Sequence, residues 1–178
     1  AILSGDQMMI EAYKLLAEVP ADKLHKVLRL FNEMATEICE GQQYDVDFES
    51  QEHVTIEEYL KMIRLKTSVL LATALQIGSY LAGANEAQQE ALYQFGINVG
   101  LAFQIQDDIL DVWGDPKTFG KAVGGDISCN KKTYVYLTAQ KLADDELTEE
   151  LHQWYGSVLD DNTEKIAAVK GIFEQLNV

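Results

Sequence analysis

The sequence predicts an all-α fold, on three observations. Apolar residues recur at helical spacing through most of the chain, as at Met8, Met9, Ala12, Leu15 and Leu16. No segment sustains the strict alternation of a strand. Only 2 prolines occur, Pro20 and Pro116, and both stand where a helix would stop. At 178 residues with 47% apolar content, the chain is long enough for one domain with a substantial core, spanning residues 1–178, and too short for two.

In chain order, Asp6 to Glu18 carries the first helical period, and Pro20-Ala21-Asp22 resets the chain. Asp22 to Glu40 repeats the period through Leu24, Val27, Leu28, Phe31 and Ile38, and Gly41 reads as its end. Gln42 to His53 is polar and acidic without a clear period, so it reads as a frayed turn followed by loop. Thr55 with Glu58 forms a capping box that opens a long helix to about Leu81. Gly83-Ala84-Asn85 breaks it, and the next helix runs from about Glu86 to Trp113. Gly120, Gly124 and Gly125 make Lys117 to Asn130 a mobile loop. Three shorter helices follow, Lys131 to Ala143, Leu147 to Tyr155 (stopped by Gly156) and Asp161 to Leu176. Thr67 to Asn85 and Ala91 to Gln106 contain no charge, yet hold too many polar groups (Gln76, Gln94, Asn98) for a lipid span. They read as two helices buried all round.

Charge narrows the partners. With 29 acids against 14 bases, a net charge of −15, the chain lacks the basic surface that nucleic acid or an anionic membrane needs. Two distant cysteines, Cys39 and Cys129, make neither a disulfide framework nor a metal cluster and fit a reducing cytoplasm. The N-terminus has no signal-peptide pattern and no initiator Met, and reads as the middle of something longer.

The chemistry concentrates at the end of the second uncharged helix. Gln104, Asp107, Asp108 and Asp111 fall on one helical face, while Phe103, Leu110 and Trp113 face elsewhere. Three like charges on one face call for a cation opposite them. Lys117, Lys121, Lys131 and Lys132 lie just downstream. The Gly114–Ala122 loop fails as a P-loop by one residue of spacing, and puts Ala122 where Ser or Thr would hold a metal. A di-iron bundle needs two Glu-x-x-His motifs, and only Glu149–His152 fits. Calcium and zinc patterns are absent. Magnesium remains, since it takes one or two carboxylates plus substrate phosphates. A helix end whose acids simply pair with nearby lysines stays open beside it.

The stretch Phe103 to Asp111, followed by Gly114-Asp115-Pro116, Gly120-Lys121, Asp126 and Asn130-Lys131, resembles the second aspartate-rich region of trans-isoprenyl diphosphate synthases, the polyprenyl synthetases. Gly41-Gln42-Gln43-Tyr44-Asp45 and Lys66-Thr67 match two further motifs in order, and Ala1 to Asp6 resembles the stretch just beyond the first aspartate-rich motif. The resemblance runs to about Ala139.

It implies an antiparallel bundle of the isoprenoid synthase type, incomplete at its N-terminus. It also implies a Mg²⁺-dependent prenyltransferase that joins isopentenyl diphosphate to an allylic diphosphate through a carbocation. Asp107 and Asp111 would bind the metal, Asp108 would support them, and Asp126 would act through its water shell. Lys121 and Lys131 would neutralise diphosphate oxygens. Lys66, Thr67 and Gln104 would line the reacting centre; Gln42 and Asp45 would lie near the cavity wall, and Phe103 would contact substrate. The two uncharged helices would wall a tunnel for the growing chain. The family is usually a homodimer. Gly125 departs from the lysine common before the last aspartate. The family's first aspartate-rich motif, with its arginines, is not among these residues, so the chain by itself is expected to be inactive. A non-catalytic subunit of a heteromeric synthase and a terpene cyclase are the alternatives.

Overall fold

The computed structural model describes residues 1–120, 123–157 and 159–178, without the side chains of Thr118 and Phe119. Among the described residues there are helices and no strands. They are α1 (Ile2–Ala17), α2 (Ala21–Ser50), α3 (Ile56–Ile63), a π-helical segment (Arg64–Ser68), α4 (Val69–Leu81), α5 (Glu86–Trp113), α6 (Pro116–Phe119), α7 (Gly125–Ser128), α8 (Tyr134–Leu142), α9 (Asp145–Gly156) and α10 (Thr163–Leu176).

Local chemistry explains the boundaries. Thr55 Oγ1 accepts from the Glu58 amide at 3.1 Å, and Glu58 Oε2 accepts from the Thr55 amide at 2.8 Å. Asn85 and Gln88 close the same reciprocal cap at the start of α5. Gly83, at φ 86°, makes the left-handed turn between α4 and α5.

Four expectations need correction. Gly41 does not end α2, and the stretch 42–50 is helix, not loop. Gln43 donates to Asp47 one turn on, and Tyr44 and Phe48 anchor the turn in the core. Gly41 serves packing instead: a Cβ there would stand 2.3 Å from the Lys66 nitrogen. The loop 117–130 contains two short helices, α6 capped by Asp115 and α7 begun at Gly124. The helix expected from Lys131 starts only at Tyr134, because Thr133 is its N-cap. Finally, α4 and α5 are not buried all round. They press on each other through small residues, Gly96 on Ala72, and Gly100 of α5 meets Ser68 at the end of the π-segment. Their opposite faces expose Leu70, Leu71, Leu92, Phe95, Val99 and Phe103. Lack of charge marks a helix without strongly solvated groups; it does not say how many sides are covered.

Two apolar clusters result. The larger joins Tyr59, Met62, Ile63, Val112, Ile127, Val135, Leu151, Val169 and Phe173. The smaller joins Met34, Leu65, Val69, Ala72 and Ile97. Tyr44 and Leu101 pack against both, so the seam between the clusters runs past the π-segment toward the end of α5.

Candidate active site

The π-segment shapes one side of the site. The Val69 amide reaches back five residues to the Arg64 carbonyl, which inserts an extra residue into the helical turn. Gly41 of α2 and Gly100 of α5 press on it from two sides, each closer than any Cβ would permit. The widened turn presents Lys66 and Thr67. Lys66 Nζ donates to Asp45 Oδ2 at 2.6 Å, and Thr67 Oγ1 donates to Gln104 Oε1 at 2.9 Å. The sequence-level candidates Asp45, Lys66, Thr67 and Gln104 are therefore joined in two pairs. Gln42 is exposed on α2, one turn before Asp45.

The aspartates of α5 divide their work. Asp108 is buried at 3% exposure, and its Oδ2 accepts from the Tyr59 hydroxyl at 2.5 Å and the Tyr134 amide at 3.0 Å. The second bond places a carboxylate at the N-terminus of α8, where the helix dipole favours it. Burial pushes this carboxyl up to about 6; the two hydrogen bonds hold it back. Asp111 Oδ2 accepts from the Asp126 amide at 3.0 Å, and the Asp111 carbonyl accepts from the Gly124 amide at 2.7 Å. Its carboxyl is likewise raised by burial. Both residues thus tie the 123–134 connection to α5. Asp107, one position before Asp108, is partly exposed.

Cations close the arrangement. Lys131 Nζ lies 3.5 Å from Asp126 Oδ1, and the Lys131 amide donates to the Asp126 carbonyl at 2.9 Å. Burial opposes the Lys131 charge, but Asp126, Asp45 and Asp108 outweigh it and raise its pKa. Lys132 Nζ donates to the Phe48 carbonyl at 2.8 Å. Asp45, Tyr59, Met62, Asn130, Lys131 and Lys132 border a cavity of about 240 Å³. Lys121 lies outside the described residues.

Among the described residues, no group of three or more Asp, Glu, His or Cys side chains stands ready to hold a metal. A preformed cage is not what this donor set fits. Carboxylates one helical turn apart, with a lysine close by, fit an ion that completes its shell with water and substrate phosphate.

An apolar strip leads to this charge. Phe95, Val99 and Phe103 repeat every four residues along α5, exposed at 59%, 43% and 59%, and Asp107 is the next step. From Phe95 to Asp107 the helix rises about 18 Å. Sequence reasoning missed Tyr59 and Lys165, which lie on elements far from the motifs in sequence with nothing local to announce their partners. Asn130 belongs to the motif stretch Asn130-Lys131, which by itself gives it no role of its own.

The family profile described as Polyprenyl synthetase matches residues 1–176. The chain is 41% identical over 158 residues to the short chain isoprenyl diphosphate synthase of Methanocaldococcus jannaschii, covering 88% of this chain and 48% of that protein. It is 40% identical over 141 residues to the geranylgeranyl diphosphate synthase of Methanosarcina mazei, covering 78% and 44% respectively. Among solved structures it is similar to a geranylgeranyl pyrophosphate synthase, with TM-score 0.93 and 48% identity over 99% of this chain and 55% of that one. It is also similar to the geranylgeranyl pyrophosphate synthetase of Pyrococcus horikoshii Ot3, with TM-score 0.88 and 35% identity over 99% and 54%. The chain spans about half the length of these relatives.

Proposed function

The chain belongs to the polyprenyl synthetase family, and from that premise we propose that it carries the diphosphate-binding part of a prenyltransferase. The reaction joins isopentenyl diphosphate to an allylic diphosphate. The observation that supports this most directly is the strip Phe95–Val99–Phe103 running into Asp107. Such a surface suits a substrate with an apolar tail and a highly charged head.

Mg²⁺, when bound, supplies positive charge to the departing diphosphate. Asp107 and Asp111 would hold it, Asp108 would support them from behind, and Asp126 would reach it through its water shell. Lys131, already raised in pKa by its acidic neighbours, stays charged and neutralises phosphate oxygens. Lys121 is assigned the same task from the sequence alone.

The allylic carbon–oxygen bond breaks with its electron pair leaving on diphosphate, and an allylic cation remains. Thr67 and Gln104, linked at 2.9 Å, hold their oxygen dipoles in one orientation beside it. Asp45 fixes Lys66 in turn. The isopentenyl double bond attacks the cation, a carbon–carbon bond forms, and the released diphosphate accepts the proton lost from the adduct. No histidine is required.

A homodimer and a cytoplasmic location complete the proposal; the two free cysteines, Cys39 and Cys129, support a reducing compartment. The test is incorporation of labelled isopentenyl diphosphate into prenyl product by the full-length protein, with an allylic diphosphate and Mg²⁺. Asp107→Ala should lower turnover at least about a hundredfold. Undiminished turnover in that variant would sink the assignment.

A further inference from the structure

Lys165 lies on α10, far in sequence from every motif discussed above, and is 0% exposed. A lysine is among the residues least often buried completely, so its environment calls for a reason. Its Nζ donates to Asn130 Oδ1 and, at 3.3 Å, to the Ser157 carbonyl, and it lies 5.8 Å from the centre of the Tyr155 ring. Both oxygens are neutral acceptors. The charge is thus held on an asparagine side chain and a backbone carbonyl.

The asparagine it holds makes a left-handed turn. Asn130 sits at φ 57°, in the left-handed region that most residues other than glycine avoid and that asparagine tolerates better than most. It immediately precedes Lys131, whose amide donates to the Asp126 carbonyl and whose Nζ faces Asp126. The direction in which Lys131 leaves α7 is therefore set at Asn130. A neutral Oδ1 held by an ammonium makes a stronger bond than a neutral pair would.

We infer that Lys165 is a positioning residue, which locks the left-handed turn at Asn130 and thereby aims Lys131 at the diphosphate. The inference rests on the diphosphate role of Lys131 proposed above. Lys165 itself touches no substrate. Its role couples the C-terminal helix to the site through one side chain.

The test is calorimetric titration of the full-length protein with inorganic pyrophosphate in the presence of Mg²⁺. Lys165→Met, Lys131→Ala and the double variant are compared with the parent. Methionine fills similar space without a charge, but it leaves Asn130 Oδ1 and the Ser157 carbonyl without this donor, at a cost in stability. We expect Lys165→Met to weaken binding at least about tenfold while remaining folded at the assay temperature, and Lys165→Arg to recover part of that loss. In the Lys131→Ala background, Lys165→Met should cost less than about twofold more.

An equal loss in both backgrounds would mean a general structural role and overturn the inference. So would unchanged binding in Lys165→Met where Lys131→Ala binds weakly. If Lys131→Ala itself binds pyrophosphate normally, the failure lies in the diphosphate reading, and the inference falls with it. Should Lys165→Met not fold, Lys165→Gln, which keeps a neutral donor in place of the ammonium, carries the same comparison.

Discussion

The Tyr59 hydroxyl donates to Asp108 Oδ2 across 2.5 Å, from the first helical turns after the capping box to the end of α5, 49 positions on. Both groups are buried, Tyr59 at 1% exposure and Asp108 at 3%. Burial and the neighbouring carboxylate push the phenol well above its usual range, so it stays a donor. The bond fixes Asp108, and Asp108 fixes the start of α8 through the Tyr134 amide. The connection that carries Asp126 and Lys131 is thereby hung between α5 and α8.

Tyr59→Phe keeps the ring and removes the donor, so packing is preserved while a buried carboxylate loses one of its two described hydrogen bonds. Hydrogen bonds to charged groups contribute about 1.5–3 kcal/mol. Urea unfolding should show a loss of that order. The variant should also weaken pyrophosphate binding by less than Lys131→Ala does, since it disturbs the mounting and leaves the cation in place.

A pH effect follows from Asp108, whose carboxyl is raised to about 6 mainly by burial. The groups facing it are Tyr59, Asp126 and Lys131, with the Tyr134 amide. A carboxyl that holds its proton more tightly when folded favours the folded state at low pH. That advantage is full below about pH 4 and lost as pH rises through about 6. A displacement of about two units corresponds to about 3 kcal/mol at most. In metal-free protein, the stability difference between the parent and Asp108→Asn should therefore shift against the parent from pH 4 to pH 7. A difference constant over that range would show that burial does not raise this carboxyl.

Much of this site was legible because its parts are local. Asp107, Asp108 and Asp111 share a helical face by spacing alone, and Thr55 with Glu58 marks a helix start that the structure keeps. Tertiary dependence hid the rest. Gly41 reads as a stop because glycine weakens helices, and only the approach of the π-segment explains why it sits inside one. The π-segment has no periodic signature, since a single inserted residue leaves the apolar pattern on either side intact. Asn130 and Lys165 are 35 positions apart, and nothing in either stretch names the other.

The lysine–aspartate pair beside the π-segment gives a third measurable outcome. Lys66 Nζ lies 2.6 Å from Asp45 Oδ2, with Asp45 less exposed than Lys66 (19% against 33%). The pair is part-buried and asparagine keeps an oxygen acceptor for the lysine, so Asp45→Asn should cost about 1 kcal/mol of stability. Its effect should fall on turnover, because Lys66 loses the charge that orients it. We expect a drop of about tenfold or more in turnover by the full-length protein, with the melting temperature lowered by no more than a few degrees.

The packing of α5 on the π-segment can be tested through its glycine. A Cβ at Gly100 would lie 2.5 Å from the Ser68 Cα and 2.6 Å from its Oγ, and backbone cannot move aside as a flexible side chain could. Ser68 is fully buried, so its side chain has no open solvent to turn into. Gly100→Ala must therefore push α5 away from the segment. Thr67 and Gln104 lie next to this contact, one on each element, and their 2.9 Å bond would stretch. Overpacking of this kind costs about 1–3 kcal/mol. Gly78, in α4, meets nothing within 4 Å, so Gly78→Ala should leave stability unchanged or raise it by about 0.5–1 kcal/mol. Thermal unfolding of the two variants side by side separates close approach from helix propensity. Equal stabilisation of both would mean that α5 does not depend on glycine to reach the π-segment.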